Sequence, residues 1–573
     1  MKIINGYILS SVLTLGVFLS LPSCTFMDDP LNKTGAYEVF KDSVRVDNYL
    51  LGLYTYLPTG YNRFDRQTML SSAGDESTQC GAQHGLTVFV NGSWGPASNP
   101  DAAWEKNYEA IMQVNTLLEH IDMLYPETSE TFKNQILSEA HFLRAYFYFE
   151  LVKRYAGVPL ITRTMTANDS RDIERNDYSE CVDFIVSECD EAIKHLPVQE
   201  APARWGRASK VAAMALKSRT LLYAASDLFN GPNILGENDK KTGYGTYSAD
   251  RWKAAAEAAH DLFQYYPGTL DLMVGNPNNL PLRYRTIWTT VAPANNKELI
   301  FVRTRQSDNN LEKDNAPIGF TNARGGVAPS QNLVDAYEMK KTGKPITDPT
   351  SGYNPNNPYA GRDPRFEGTI HYNGSTWWNR AVKTCVGGID SGFENVDGTK
   401  TGYYLRKFSN VDARIFGTQA NRPHYFTLFR FGEILLNYAE AMNEAYGPED
   451  PGPYDSGQTA LWAINLIRNR VGMPAVKPGL TRAEMKERII HERRVELAFE
   501  EHRHWDVRRW KIAEDVFSQP IRGVRIDESE TPVEYQYYDV EQRVFTPKMY
   551  LYPIPYSELM KNKALAQNPL WNE

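Results

Sequence analysis

Apolar residues recur at steps of three and four through two long parts of the chain, and that rhythm breaks between them. Trp104, Tyr108, Ile111, Asn115, Leu118 and Ile121 share one helical face. Residues 140–156 are apolar almost all round, which predicts a buried helix ended by Gly157-Val158-Pro159. Val182, Ile185, Val186, Cys189 and Ile193 predict a helix over 178–196, an alanine-rich stretch predicts another over 208–229, and Trp252, Ala259, Leu262 and Phe263 predict one over 250–266. Nearer the C-terminus Leu428, Phe431, Leu435, Tyr438 and Met442 mark one more. Ala460, Ile464, Ile467 and Val471 mark the next, stopped by Gly472 and Pro474. A last helix runs from Thr481 to about Arg503, and Thr481 with Glu484 has the spacing of a capping box. Helices that are apolar on one face and joined by short turns bury those faces by stacking. The expected fold class is therefore mainly α, an α–α solenoid of helical pairs without a fixed sequence period.

From 267 to 423 glycine, proline, asparagine and aspartate punctuate the chain densely and only short pieces alternate, such as Glu298 to Arg303. The expected organisation is one domain over 24–573. Helical repeats occupy about 40–266, a loop-rich ligand-facing region 267–423, and a helical and closing segment 424–573. Long loops on a helical scaffold are where binding sites usually sit.

The one long apolar run, Tyr7 to Leu21, follows Lys2 and is short for a membrane span, so 1–23 reads as a signal peptide. Leu21-Pro22-Ser23-Cys24 resembles a lipoprotein box with Cys24 as the lipidated first residue. Asp28-Asp29 resembles an acidic export signal to the outer face of the cell. Cys181 and Cys189 lie eight positions apart on one predicted helix, roughly 12 Å along its axis, too far to bridge. The other cysteines show no disulfide framework or metal spacing, so packed free thiols are expected.

Composition narrows the chemistry. Of 573 residues 23% are charged and 42% hydrophobic, ample for a large core, and a net charge of −8 without a basic run gives nucleic-acid binding no electrostatic support. No phosphate loop, dinucleotide fingerprint, HExxH or nucleophile elbow is present, and no cofactor is implied. His502 and His504 flank Arg503 without a third ligand nearby and read as structural. Glu492 and Glu496 lie one turn apart on an otherwise apolar helix face with Met485, Ile489 and Phe499. Such a pair serves either as a catalytic acid and base or as a buried ion-pair network with Arg430, Arg488, Arg493 and Arg494. The abundance of arginine favours the network.

Several segments resemble the SusD/RagB family of nutrient-gathering surface lipoproteins. Arg430-Phe431-Gly432-Glu433-Ile434-Leu435-Leu436-Asn437-Tyr438-Ala439-Glu440-Ala441 is similar to its "RYAEVLLNYAEA" segment. Asn465-x-x-Arg468-x-Arg470, Glu492-Arg493-Arg494-Val495-Glu496-Leu497-Ala498-Phe499-Glu500, and Arg503-x-Trp505-Asp506-Val507-Arg508-Arg509-Trp510 follow in the family's order. The close, Tyr550 to Trp571, matches as well. Glu501 stands where the family usually has glycine. The resemblance implies a tetratricopeptide-like scaffold, an outer-membrane lipid anchor, no enzymatic activity, and a SusC-like TonB-dependent transporter as partner. It implies a glycan or oligosaccharide ligand, with peptide as the alternative. A surface hydrolase using Glu492 and Glu496, and a scaffold that binds only protein, are rivals from other classes.

Aromatic residues make up 12% of the chain, and sugar C–H faces stack on such rings while polar side chains bind the hydroxyls. The loop rings expected to meet ligand are Trp94, Tyr284, Trp288, Trp377 and Trp378, with Asp75, Gln79, Asn91 and Asn99 as polar neighbours. Family ligand residues come from the loop before the Trp-x-x-x-Tyr helix, here 75–99, and from the loop-rich middle.

Overall fold

Capping chemistry fixes where the first helices begin. In the computed structural model, which describes residues 38–64, 68–81, 85–455 and 457–572, Asp42 accepts from the backbone N–H of Arg45 and opens α1 (Ser43–Leu53). The signal segment and Cys24 lie outside the described residues. α2 spans Trp104–His120, and Ser129 caps α3 (Glu130–Tyr155), which ends as Ala156 takes a φ of 62°. An Asp177–Glu180 capping box opens α4 (Tyr178–His195), and Ser209 caps α5 (Lys210–Ala225). α6 covers Asp250–His260 and continues as a 3₁₀ turn over Asp261–Tyr265.

From α2 to α6 each helix packs on the next in chain order, the nearest-neighbour logic of a solenoid. The alanines of α5 (Ala212, Ala213, Ala215) are fully buried, which lets helix axes approach closely. The stack then resumes beyond the insert, at Phe431. After α7 (Leu280–Thr289), α8 (Phe431–Ala445) docks on α6, and α9 (Ala460–Arg470) and α10 (Arg482–Glu496) pack on α8. The Thr481–Glu484 capping box opens α10 as expected, and Gly472 at a φ of 68° follows α9. α11 (Arg503–Arg509) completes the block.

The sheets are small. β1 (Ser77–Gln79), β2 (Leu299–Thr304), β3 (Val327–Pro329) and β4 (Tyr425–Arg430) form two antiparallel pairs, β1 with β3 and β2 with β4. β5 (Ile521–Asp527) and β6 (Glu534–Glu541) make the longest hairpin. The inserted middle carries a small core of its own, Phe320, Ala328, Trp377, Val382 and Tyr404, joined by Cys80 just after β1. All four described cysteines are buried and free.

Two expected helices are shorter than their patterns. Leu428 belongs to β4, and α8 begins at Phe431. Tyr425 to Phe429 are β-forming residues paired with β2, and the N–H of Phe431 donates to the carbonyl of Glu298 at 2.8 Å. The last helix stops at Glu496 instead of Arg503, because Phe499 and Glu501 take φ of 65° and 66°.

The face of α10 that carries Glu492 and Glu496 is closed by arginines. Glu492 accepts from Arg365 at 2.5 Å and Arg468 at 3.0 Å. Glu496 accepts from Arg430 at 2.9 Å, Arg365 at 3.1 Å and, closely, Arg470. Both carboxylates are 1% exposed or less. Burial alone would raise the Glu492 pKa, but Arg365 and Arg468 pull it down to about 2. The same balance holds Glu496 well below the usual range. Neither has solvent access nor the proton affinity of a general acid, so the network reading fits and the acid/base pair does not.

Candidate functional site

The rings expected to meet ligand do not converge. Trp94 is 3% exposed and enclosed by Phe89, Tyr552 and Trp571 at 4.8–5.0 Å between centroids. Tyr284 is fully buried and donates to the carbonyl of Glu496 at 2.5 Å, and Trp288 packs edge-on against it beneath Lys407. Trp377 sits in the small core of the insert, whereas half-buried Trp378 donates its indole N–H to Val411 at 3.0 Å. Among the polar residues, Asp75 is held by Arg494 at 2.7 Å and Arg503 at 3.0 Å, and Gln79 is buried in β1. Asn99 accepts from the N–H of Asp101, and Asn91 from that of Ser93. As placed, Trp94, Tyr284, Trp288 and Trp377 offer no free stacking face. Their size and the rings and side chains packed over them make them core residues.

A different set of side chains surrounds a cavity of about 250 Å³ between the two halves of the stack. Its far wall comes from α3, where Tyr146, Phe149, Glu150, Lys153 and Arg154 follow one another at helical spacing. Arg219 and Tyr223, one turn apart on α5, extend that wall. Phe426, Thr427 and Leu428 of β4 enter from one side, and Glu500, Glu501, His502 and Trp505 from the turn between α10 and α11. Exposed Thr59, Pro100, Ala102 and Lys106 border it where it meets solvent, beside half-buried Arg63 and Phe64.

The walls are polar and mostly paired. Arg63 grips Glu501 through two contacts of 2.9 Å and reaches Asp101 at 3.3 Å. Arg154 bonds Asp101 at 2.8 Å and Glu150 at 2.7 Å, and Lys153 bonds Glu150 at 2.6 Å. Burial would raise the pKa of Glu150, yet Lys153 and Arg154 pull it down to about 2. Burial outweighs Glu150 at Lys153 and pushes its ammonium down to about 8. Burial, with Arg219 and Arg493 near, holds His502 far below its ordinary value, so it is neutral at pH 7. Thr427 Oγ1 has no partner among the described residues. The cavity thus offers the half-buried rings of Tyr56 and Phe64 at its edge, a neutral imidazole and spare hydroxyl chemistry, while Tyr146, Phe149, Tyr223, Phe426 and Trp505 are as buried as Trp94 and shape its walls.

Glu501 has a stated cost. Its left-handed φ of 66° is one that glycine adopts freely and other residues adopt at about 1–2 kcal/mol. Its carboxylate latches Arg63 beside the cavity mouth, a contact glycine cannot make. The departure from the family's glycine was visible in the sequence. The cavity walls were less so, because Glu150, Lys153 and Arg154 read as the tail of a buried helix rather than as one polar stripe.

Stacked helix pairs, a long loop-rich insert between the sixth and eighth helices, and a polar and aromatic cavity between the two halves of the stack define a helical-scaffold fold. Two family models match, one described as the SusD family over residues 297–571 and one as starch-binding associating with outer membrane over residues 29–222. The chain belongs to the SusD/RagB family. Its fold is similar to that of a SusD-like protein from Bacteroides fragilis NCTC 9343, at 28% identity and a TM-score of 0.76, covering 95% of this chain and 100% of that one. It is also similar to a SusD-like carbohydrate binding protein from the same strain, at 24% identity and a TM-score of 0.73, covering 92% of this chain and 100% of that one. In sequence it is 23% identical over 498 residues to SusD-like protein P25 of Formosa agariphila, covering 82% of this chain and 78% of that protein.

Proposed function

We propose that this protein is a cell-surface lipoprotein, anchored through Cys24, that binds a glycan or oligosaccharide without cleaving it. It passes the ligand to a SusC-like TonB-dependent transporter in the outer membrane. The observation that carries the reading is the 250 Å³ cavity, whose rings and spare polar atoms suit sugar faces and hydroxyls. Membership of a family with carbohydrate-binding relatives supports it. Handing ligand onward calls for modest affinity and fast release, which a half-open polar pocket provides better than a sealed apolar one. The saturated state of Glu492 and Glu496 supports binding without turnover. The test is calorimetric titration of the soluble chain lacking the lipid anchor against polysaccharides, oligosaccharides and peptides, with the same mixtures assayed for cleavage. Saturable glycan binding without products is the expected result. Peptide binding alone or cleavage would overturn the reading.

A further inference from the structure

The charges around the cavity balance until one reaches its mouth. Arg63, Arg154 and Lys153 satisfy Asp101, Glu150 and Glu501. Deeper in, Arg219 is closed on Glu433, and Glu500 on Arg430 and Lys407. Lys106, in the first turn of α2, lines the cavity and has no anionic partner among the described residues. Arg303 of β2 has none either, and it pairs across the sheet with Phe426, whose ring lines the same cavity. Burial first, then Arg63, lower the proton affinity of Lys106; Glu150 opposes them and Arg303 adds to the lowering, so the ammonium feels two cations and one carboxylate that is already held by Lys153 and Arg154. Unpaired cations gathered at one rim attract an anion and gain most when that anion is bound rather than free in water.

We propose that the cavity mouth at Lys106, with Arg303 on the adjoining strand β2, receives an oxyanion carried by the glycan, either the carboxylate of a uronic acid residue or a sulfate ester. The neighbouring neutral groups take up sugar hydroxyls. Thr427 Oγ1 is buried without a partner, and the phenols of Tyr146 and Tyr223 line the same wall. This assignment rests on the glycan-binding reading and adds the charge of the ligand to it. A neutral glycan would fill the inner wall and leave the rim cations to water. An acidic one engages both.

The test uses the purified full chain and three defined oligosaccharides of equal length: neutral, uronic-acid-bearing and sulfated. Binding of at least one acidic ligand about tenfold tighter than the neutral one is expected, with the preference shrinking as salt rises from about 0.05 to 0.5 M. Whichever acidic ligand shows it identifies the oxyanion. Lys106→Gln should bring the acidic affinity down to that of the neutral ligand. Lys194→Gln, an equal change of net charge outside the cavity, should keep the preference. Equal affinity for all three glycans, or a preference untouched by Lys106→Gln, overturns this proposal while glycan binding stands. Failure of every glycan while peptides bind overturns both.

Discussion

Replacing Glu496 by glutamine should cost this protein much of its stability. The carboxylate is shared among Arg365, Arg430 and Arg470, all buried to 1% exposure or less. Glutamine keeps the volume and one acceptor oxygen, but it leaves three guanidinium groups facing one fewer negative charge in a dry interior. Breaking a buried pair from one side costs about 3–5 kcal/mol. Glu492, which shares Arg365 with Glu496, gives a second figure from the same network. Its pKa falls from 4.5 to about 2, and two and a half units at 1.36 kcal/mol each amount to roughly 3 kcal/mol at pH 7. The sign follows from the direction. A depressed carboxylate contributes stability above its unfolded pKa and loses it as pH falls toward the folded one. The cost of Glu492→Gln should therefore be full at pH 7 and diminish between about pH 4.5 and 2. Urea unfolding of the wild type, Glu492→Gln and Glu496→Gln at pH 7 and pH 3 reads this directly. An unchanged midpoint for Glu496→Gln at pH 7 would refute the network, and lost glycan turnover at unchanged stability would restore the acid/base pair.

Trp94→Ala should lower the unfolding midpoint by the equivalent of about 3–5 kcal/mol, as for a core tryptophan; a large loss of ligand affinity in a chain as stable as wild type would return Trp94 to the binding surface. Glu501→Gly should be about 1 kcal/mol more stable than Glu501→Ala, since both lose the Arg63 contact but only glycine relieves the left-handed backbone; equal melting temperatures would contradict the strain argument. Glu76 is buried beside Asp75, and burial, with Asp75, raises its pKa to about 8. The unfolded carboxyl ionises near 4.5 while the folded one keeps its proton, so this group makes stability fall as pH rises from about 4.5 to 8. Glu76→Gln should flatten that fall by about 2–3 kcal/mol at pH 7, checked by urea midpoints at pH 5 and pH 8. Lys153 faces Glu150 and Arg154 on its own helix, Arg219 on α5 and the ring of Trp505 on α11. Its loss of a proton above about pH 8 should weaken acidic ligands more than neutral ones, and a pH-independent ratio of the two affinities would contradict this.

The helical scaffold was legible because its signals are local. The Thr481–Glu484 box, the Gly472 stop and the all-apolar stretch from Ala140 each depend on residues a few positions apart, and each sits where periodicity put it. Errors arose where a distant partner decides the local state. Tyr425 to Arg430 continues the helical rhythm of α8, but an available edge at Leu299 to Thr304, more than a hundred residues earlier, turns it into a strand. The site was harder for the same reason. Aromatic loop residues mark possible stacking faces, but whether a ring is free depends on what packs over it, and Trp94 is covered by Tyr552 and Trp571 from the far end of the chain. The cavity joins α1's outgoing loop, α2, α3, α5, β4 and the turn before α11, so no single segment shows it. Two local irregularities lie at the cavity, though neither marked it as a site in the sequence. Buried charged residues end α3 at Glu150, Lys153 and Arg154, and a glutamate stands at a glycine position. A buried charge and a strained backbone each cost free energy without improving packing, and residues of that kind are where a sequence departs from the rules of its own fold in favour of a site.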